Sequence, residues 1–74
     1  MSIPRVLRDQ ARFYESKGFH IIDAQPRAGS HFLVTFAEFP EPQIVTKNVK
    51  DPRAMHNNVS VYRRLKEKHS GTNT

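Results

Sequence analysis

The chain has 74 residues, no cysteine, 36% hydrophobic residues and a net charge of +5. A domain of this length buries only about 60–65% of its unfolded surface, so nearly every large apolar side chain is committed to one core. Without cysteine there is neither a disulfide nor a thiolate metal site, and the longest apolar run, Phe32-Leu33-Val34, falls far short of the ~20 residues of a membrane span.

The predicted order is helix, three antiparallel strands, helix: an α+β two-layer sandwich forming one domain over residues 1–69. The first helix is expected from about residue 4 to 17, with Ser2 as its cap. Val6, Leu7, Ala11 and Tyr14 share its apolar face, Phe13 lies at the margin, and Gly18 is the left-handed stop. Phe19 to Ala24 is β-branched and aromatic and reads as the first strand. Residues 25–30, Gln-Pro-Arg-Ala-Gly-Ser, form a turn cluster. From His31 to Phe36 the pattern alternates, with Phe32, Val34 and Phe36 on one face and His31, Leu33 and Thr35 on the other. Residues 37–42, Ala-Glu-Phe-Pro-Glu-Pro, are predicted to be a loop with Phe39 exposed, and Gln43 to Val49 to be the third strand. The last helix runs from Asp51 to His69, capped by Asp51 with Pro52 at its first position. Met55, Val59, Tyr62 and Leu65 give it an apolar side. Residues 70–74 form a polar tail expected to be disordered. Both helices should cover one face of the sheet, leaving the other face and at least one edge open.

Charge is segregated along this order. Residues 1–17 carry +2, residues 18–46 carry −2 and residues 47–74 carry +5. Such a distribution favours acidic partners and speeds encounter with them. Arg5 and Arg8 on the first helix, Lys47, Lys50, Arg53 and His56 around the start of the last helix, and Arg63 and Arg64 further along it are the candidate partner-binding residues. The amides at the start of a helix, with lysines nearby, also suit a phosphate. Ordinary solvated charge explains the same pattern without a ligand, and cations near a helix C-terminus are favourable on their own account.

No P-loop, nucleophile elbow or carboxylate pair is present, and His20, His31, His56 and His69 lack metal-ligand spacing, so no metal and no cofactor is expected. His31, opening a strand after Gly29-Ser30, could act as a general base towards a ribose hydroxyl; a surface histidine after a loop glycine is the commoner meaning of that tripeptide. Phe19, Phe32 and Phe36 belong to the core, which leaves a poor stacking platform for single-stranded nucleic acid. The N-terminus has Arg5 and Arg8 with no hydrophobic run behind them, so no secretory signal is expected.

Two resemblances rest on these residues. Gly29-Ser30-His31-Phe32 leading a central strand, within this element order, resembles the double-stranded-RNA-binding-like fold of HicA-type toxins, which implies a ribonuclease with His31 as the catalytic residue. The hydrophobic loop and the long terminal helix depart from the toxin pattern and count against nuclease activity. The stretch from Asp51 to Asn58, the run Tyr62-Arg63-Arg64-Leu65 and the opening Met1 to Gln10 resemble the small transcription regulators of lytic phages that bind host RNA polymerase. That resemblance implies a non-enzymatic protein; a monomer in the cytoplasm of the bacterial host is expected. It would bind the large subunits of the polymerase, inhibit σ-dependent initiation and promote terminator read-through, with nucleic acid of the transcription complex as a further possible contact and no membrane partner. The HicA-like ribonuclease and a plain nucleic-acid-binding module using Lys47, Lys50, Arg53 and the last helix are the alternatives.

Overall fold

A proline without an amide begins the first helical layer. Pro4, at φ −53°, leads into a single 3-10 turn over Arg5–Leu7, from which α1 continues over Arg8–Ser16. The expected helix is therefore shortened at its start. No side chain caps Pro4, and the Leu7 amide bonds the Pro4 carbonyl three residues back, 2.9 Å away, which tightens the turn. The computed structural model describes residues 3–47 and 51–69, so Ser2, the expected cap, and the tail from residue 70 lie outside the described residues. Gly18 ends the helix as predicted, with φ +92°. The Phe19 amide bonds the Tyr14 carbonyl and the Gly18 amide bonds the Glu15 carbonyl, each at 2.9 Å, which is the paired closure of a Schellman motif.

Because Phe19 is used in that closure, β1 runs over Ile21–Pro26, later than the predicted Phe19–Ala24. It pairs antiparallel with β2, His31–Phe36, which pairs in turn with β3, Phe39–Thr46, in the spatial order β1-β2-β3. Ile21 faces Phe36 while Asp23 faces Thr35, so Ile22 is an extra residue in the β1 ladder. The bulge decides which way β1 points. Without it Asp23 would fall opposite Val34 on the core face. With it, Ala24 takes that place and the carboxylate turns outward.

The predicted loop over residues 37–42 is corrected to a two-residue turn, Ala37-Glu38, and the third strand begins at Phe39 instead of Gln43. Proline is compatible with an edge strand, where an amide facing away from the sheet is not needed. Val34 faces Gln43 and Phe36 faces Phe39, which leaves Pro40, Glu41 and Pro42 opposite Thr35 alone. Two extra residues preserve facing, so Phe39 and Val45 both point inward. Phe39, expected to be exposed, is 3% exposed and part of the core. Of the predicted third strand, Val49 lies outside the described residues.

The final helix, α2, covers Pro52–His69. Its cap is as predicted: the Asp51 carboxylate accepts the Arg53 amide at 2.9 Å. Val59 and Tyr62 are buried, with Met55 and Leu65 half-buried against the same core. Leu7, Ala11 and Tyr14 come from α1 and its leading turn, and Ile21, Val34, Phe36, Phe39 and Val45 from the sheet. Phe32 packs at the margin of this core and Val6 is exposed. The molecule is an α+β two-layer sandwich with both helices on one sheet face. Ile22 and Ile44 are exposed, and no helix among the described residues is long and apolar enough to cross a membrane.

A buried hydrogen-bond chain, not foreseen from sequence, ties the layers together. Gln10, 2% exposed, donates to the Thr46 carbonyl at 2.6 Å. Tyr14 donates to Gln10 Oε1 at 3.4 Å, and Asn58 donates to the Tyr14 hydroxyl at 3.0 Å. At the opposite end of the sheet, Glu38 accepts the His20 amide and faces the His20 ring Nδ1, both at 2.8 Å, latching the β2–β3 turn to the segment after α1.

Tyr14→Phe removes the middle of the chain and leaves Asn58 and Gln10 each short of a partner. It should lower unfolding stability by about 1–2 kcal/mol, read as a lower urea midpoint with an unchanged slope. Burial raises the Glu38 carboxyl, but the side-chain and backbone hydrogen bonds from His20 outweigh it and hold the group below its ordinary value of 4.5. The folded state thus releases this proton more readily than the unfolded chain. The stabilisation is complete above the ordinary carboxylate value and is lost as pH falls through the lower folded one. Glu38→Gln should therefore melt lower than wild type at neutral pH and lose less of its melting temperature between about pH 5 and pH 3. An equally steep acid decline in the variant would contradict the latch.

Candidate partner-binding surface

The helices run in the same direction across the sheet, and this decides where the charges go. Phe13 meets the His56 ring edge to face at 5.1 Å, Tyr14 meets Tyr62 at 5.3 Å, and Phe19, beyond α1, meets Tyr62 at 5.9 Å. The starts of both helices consequently lie at one end. Gln10 brings the end of β3 there through Thr46, and the Lys47 amide bonds the Ser30 carbonyl at 2.8 Å, which adds the β1–β2 turn.

Of the predicted binding residues, the fold brings Arg5, Arg8, Lys47 and Arg53 to this end. All four are exposed, and none has a carboxylate within ion-pair reach among the described residues. Arg27 joins them from the β1–β2 turn, its guanidinium 3.4 Å from Gln25 Oε1. Arg27 carries no signal of its own in the sequence, although a three-stranded meander necessarily returns the first turn to the end of the third strand. Asp51 and Asp9 are the carboxylates in this region, and Asp51 is occupied as the α2 cap. That cap also bears on the predicted phosphate cradle, because the amide an anion would use already holds the Asp51 carboxylate.

The remaining predicted residues do not join the cluster. His56 packs on Phe13 between the helices. Arg63 lies further along α2, in a groove with Lys17 and Lys66, and Arg64 is exposed on the same helix. Lys50 lies outside the described residues. In the sequence Lys66 reads as an ordinary helix-end cation, and Lys17 carries no signal beyond its charge.

At the opposite end the carboxylates are held by histidines. Besides the Glu38–His20 latch, Glu41 Oε2 lies 2.7 Å from His69 Nε2 and 3.8 Å from Lys68 Nζ. The His69 hydrogen bond lowers the Glu41 carboxyl, opposed by a smaller effect of burial. His31 opens β2 at the basic end, exposed, with Nδ1 3.4 Å from the Ala28 carbonyl oxygen. Gly29, at φ +71°, makes the turn before it. Among the described residues no group of histidines and carboxylates is arranged to hold a metal ion. Phe13 and Phe32 are half-buried and the other described Phe and Tyr rings are buried. Comparison with models of known protein families, with curated proteins and with solved structures finds no match for this chain.

Proposed function

We propose that this chain is a small, non-enzymatic transcription regulator of a bacterial virus. It docks on the large subunits of the host RNA polymerase in the host cytoplasm, inhibits σ-dependent initiation and promotes terminator read-through. The observation that carries the reading is the gathering of Arg5, Arg8, Lys47 and Arg53 at one end, exposed and without carboxylate partners among the described residues. Cations held this way steer an acidic surface into one orientation during encounter. Two features favour acidic protein over nucleic acid. The amide at the start of α2 is already capped by Asp51, and no described Phe or Tyr ring stands fully exposed to stack on a base.

The test is binding to purified RNA polymerase core, followed by transcription from a σ-dependent promoter through a terminator. Wild-type protein should bind in the low micromolar range or tighter, reduce initiation and increase read-through. Absence of binding at moderate salt overturns the proposal. Arg5→Glu with Arg8→Glu should slow association about tenfold or more and flatten its salt dependence, with a smaller change in dissociation. Arg64→Glu, away from the basic end, should have the lesser effect.

The ribonuclease reading keeps one supporting observation, the exposure of His31 at the basic end. His31→Ala separates the two. Under the regulator reading it leaves polymerase binding and inhibition unchanged, and wild-type protein in excess leaves RNA intact.

A further inference from the structure

Away from the basic end, a groove of about 290 Å³ opens between the end of α1 and the later turns of α2, lined by Lys17, Phe19, Arg63, Lys66 and Glu67. We propose that this groove is a binding site for a phosphate monoester dianion, such as the terminal phosphate of a mononucleotide. It is a site separate from the polymerase-docking surface.

The groove is built from fixed parts. The closure at Gly18 sets the backbone of Lys17 and Phe19 on either side of it. Lys17 Nζ lies 5.5 Å from the Phe13 ring centroid and Lys66 Nζ 5.8 Å from that of Phe19. An aromatic face orients an ammonium without cancelling its charge and leaves N–H groups for a ligand. Arg63 stands one turn before Lys66 on α2 and adds a planar fork that suits two oxygens of one phosphate. Two of the carbonyls at the end of α1 that would repel an anion are engaged: Tyr14 accepts from Lys17 and Phe19, and Glu15 from Gly18.

Charge selects the ligand class. Three cations and one carboxylate give the lining a net charge of +2. A phosphate monoester carries roughly −1.5 to −2 near neutral pH, with three acceptor oxygens for two ammonium groups and a guanidinium. A carboxylate or a phosphodiester brings one negative charge and leaves a cation unanswered. The volume exceeds that of the phosphate alone, which leaves room for the organic part of the ester.

The experiment is a backbone amide NMR titration of the full chain at constant ionic strength. Its ligands are methyl phosphate, dimethyl phosphate, inorganic phosphate, adenosine monophosphate and adenosine. Methyl phosphate and inorganic phosphate should give saturable shifts centred on residues 17–19 and 63–67, with dimethyl phosphate at least about fivefold weaker and adenosine weaker still. Tighter binding of adenosine monophosphate than of inorganic phosphate identifies a nucleotide site, and equal binding a free-anion site; both support the proposal. Lys17→Gln and Lys66→Gln should each weaken methyl phosphate about fivefold, whereas Arg5→Gln with Arg8→Gln should not. The proposal is overturned by non-saturable shifts, by equal response to methyl and dimethyl phosphate, by shifts centred on Arg5, Arg8 and Arg53, or by unchanged binding in a folded Lys17→Gln, Lys66→Gln double variant. Because Arg5 and Arg8 control polymerase docking and Lys17 and Lys66 control the groove, either reading can fail without the other.

Discussion

Tyr62 joins the two layers of this protein. Its ring lies 4.6 Å from Phe36, 5.3 Å from Tyr14, 5.7 Å from Phe39 and 5.9 Å from Phe19, so one side chain of α2 meets α1, the segment after it and both strands of the β2–β3 hairpin. Inclined and edge-on rings suit the quadrupoles of aromatic groups and add to the area they bury. In a chain this short there is no second core to fall back on. Burial and the neighbouring Tyr14 hydroxyl push the Tyr62 hydroxyl well above its ordinary value, so it stays neutral in place. The aromatic cluster draws the helices onto the sheet but is non-directional. The chain from Asn58 through Tyr14 and Gln10 to the Thr46 carbonyl supplies the direction, because each donor has one acceptor at one depth.

Fixing the helices in the same direction has an electrostatic consequence. It superposes the start of α1, the start of α2, the end of β3 and the β1–β2 turn, and with them Arg5, Arg8, Arg53, Lys47 and Arg27. At the other end Glu38 and Glu41 meet His20, His69 and Lys68. Those carboxylates also protect β3. Glu41 points toward the helix side of an edge strand between two prolines, and its Oε1 is buried without a hydrogen-bond partner. A strand built this way resists pairing with a second molecule. The desolvation it costs is offset by the hydrogen bond to His69.

The element order and most of the core were legible in the sequence, since period and caps are local signals. Gly18, Asp51-Pro52, and the stripes Leu7-Ala11-Tyr14 and Val59-Tyr62 behave as read. The errors fall where a non-local partner overrules a local signal. Pro40 and Pro42 read as a loop, yet on an edge strand a missing outward amide costs nothing, so Phe39 enters the core. Asp23 sits in a β-branched run, and only a bulge whose position depends on β2 turns it outward. Gln10 lies on the apolar side of α1 as an apparent exception, and its acceptor is 36 residues away. The binding surface was legible as a set of cations but not as a place. Arg63 and Arg64 share the last helix with Arg53, but a helix of 18 residues spreads them along the molecule instead of gathering them.

The separation of charge along the molecule matters because of screening. At physiological ionic strength the field of an exposed charge decays over about 8 Å, and the molecule is 39 Å long. The carboxylates at one end therefore do little to reduce the potential at the other, and the basic end acts at close to its full local charge. The same surplus spread evenly would attract acidic surfaces without orienting the protein on them. The cations without carboxylate partners among the described residues, Arg5, Arg8, Lys47 and Arg53, favour an end-on approach in which theirs are the first contacts, while Lys17, Arg63 and Lys66 line the groove away from that end. Mutual repulsion among these cations opposes folding, but it is screened at the surface, while the aromatic core and the buried hydrogen-bond chain are not weakened by salt in the same way. Salt thus acts on recognition and stability through different parts of the structure, which lets so small a domain keep an unpaired basic end.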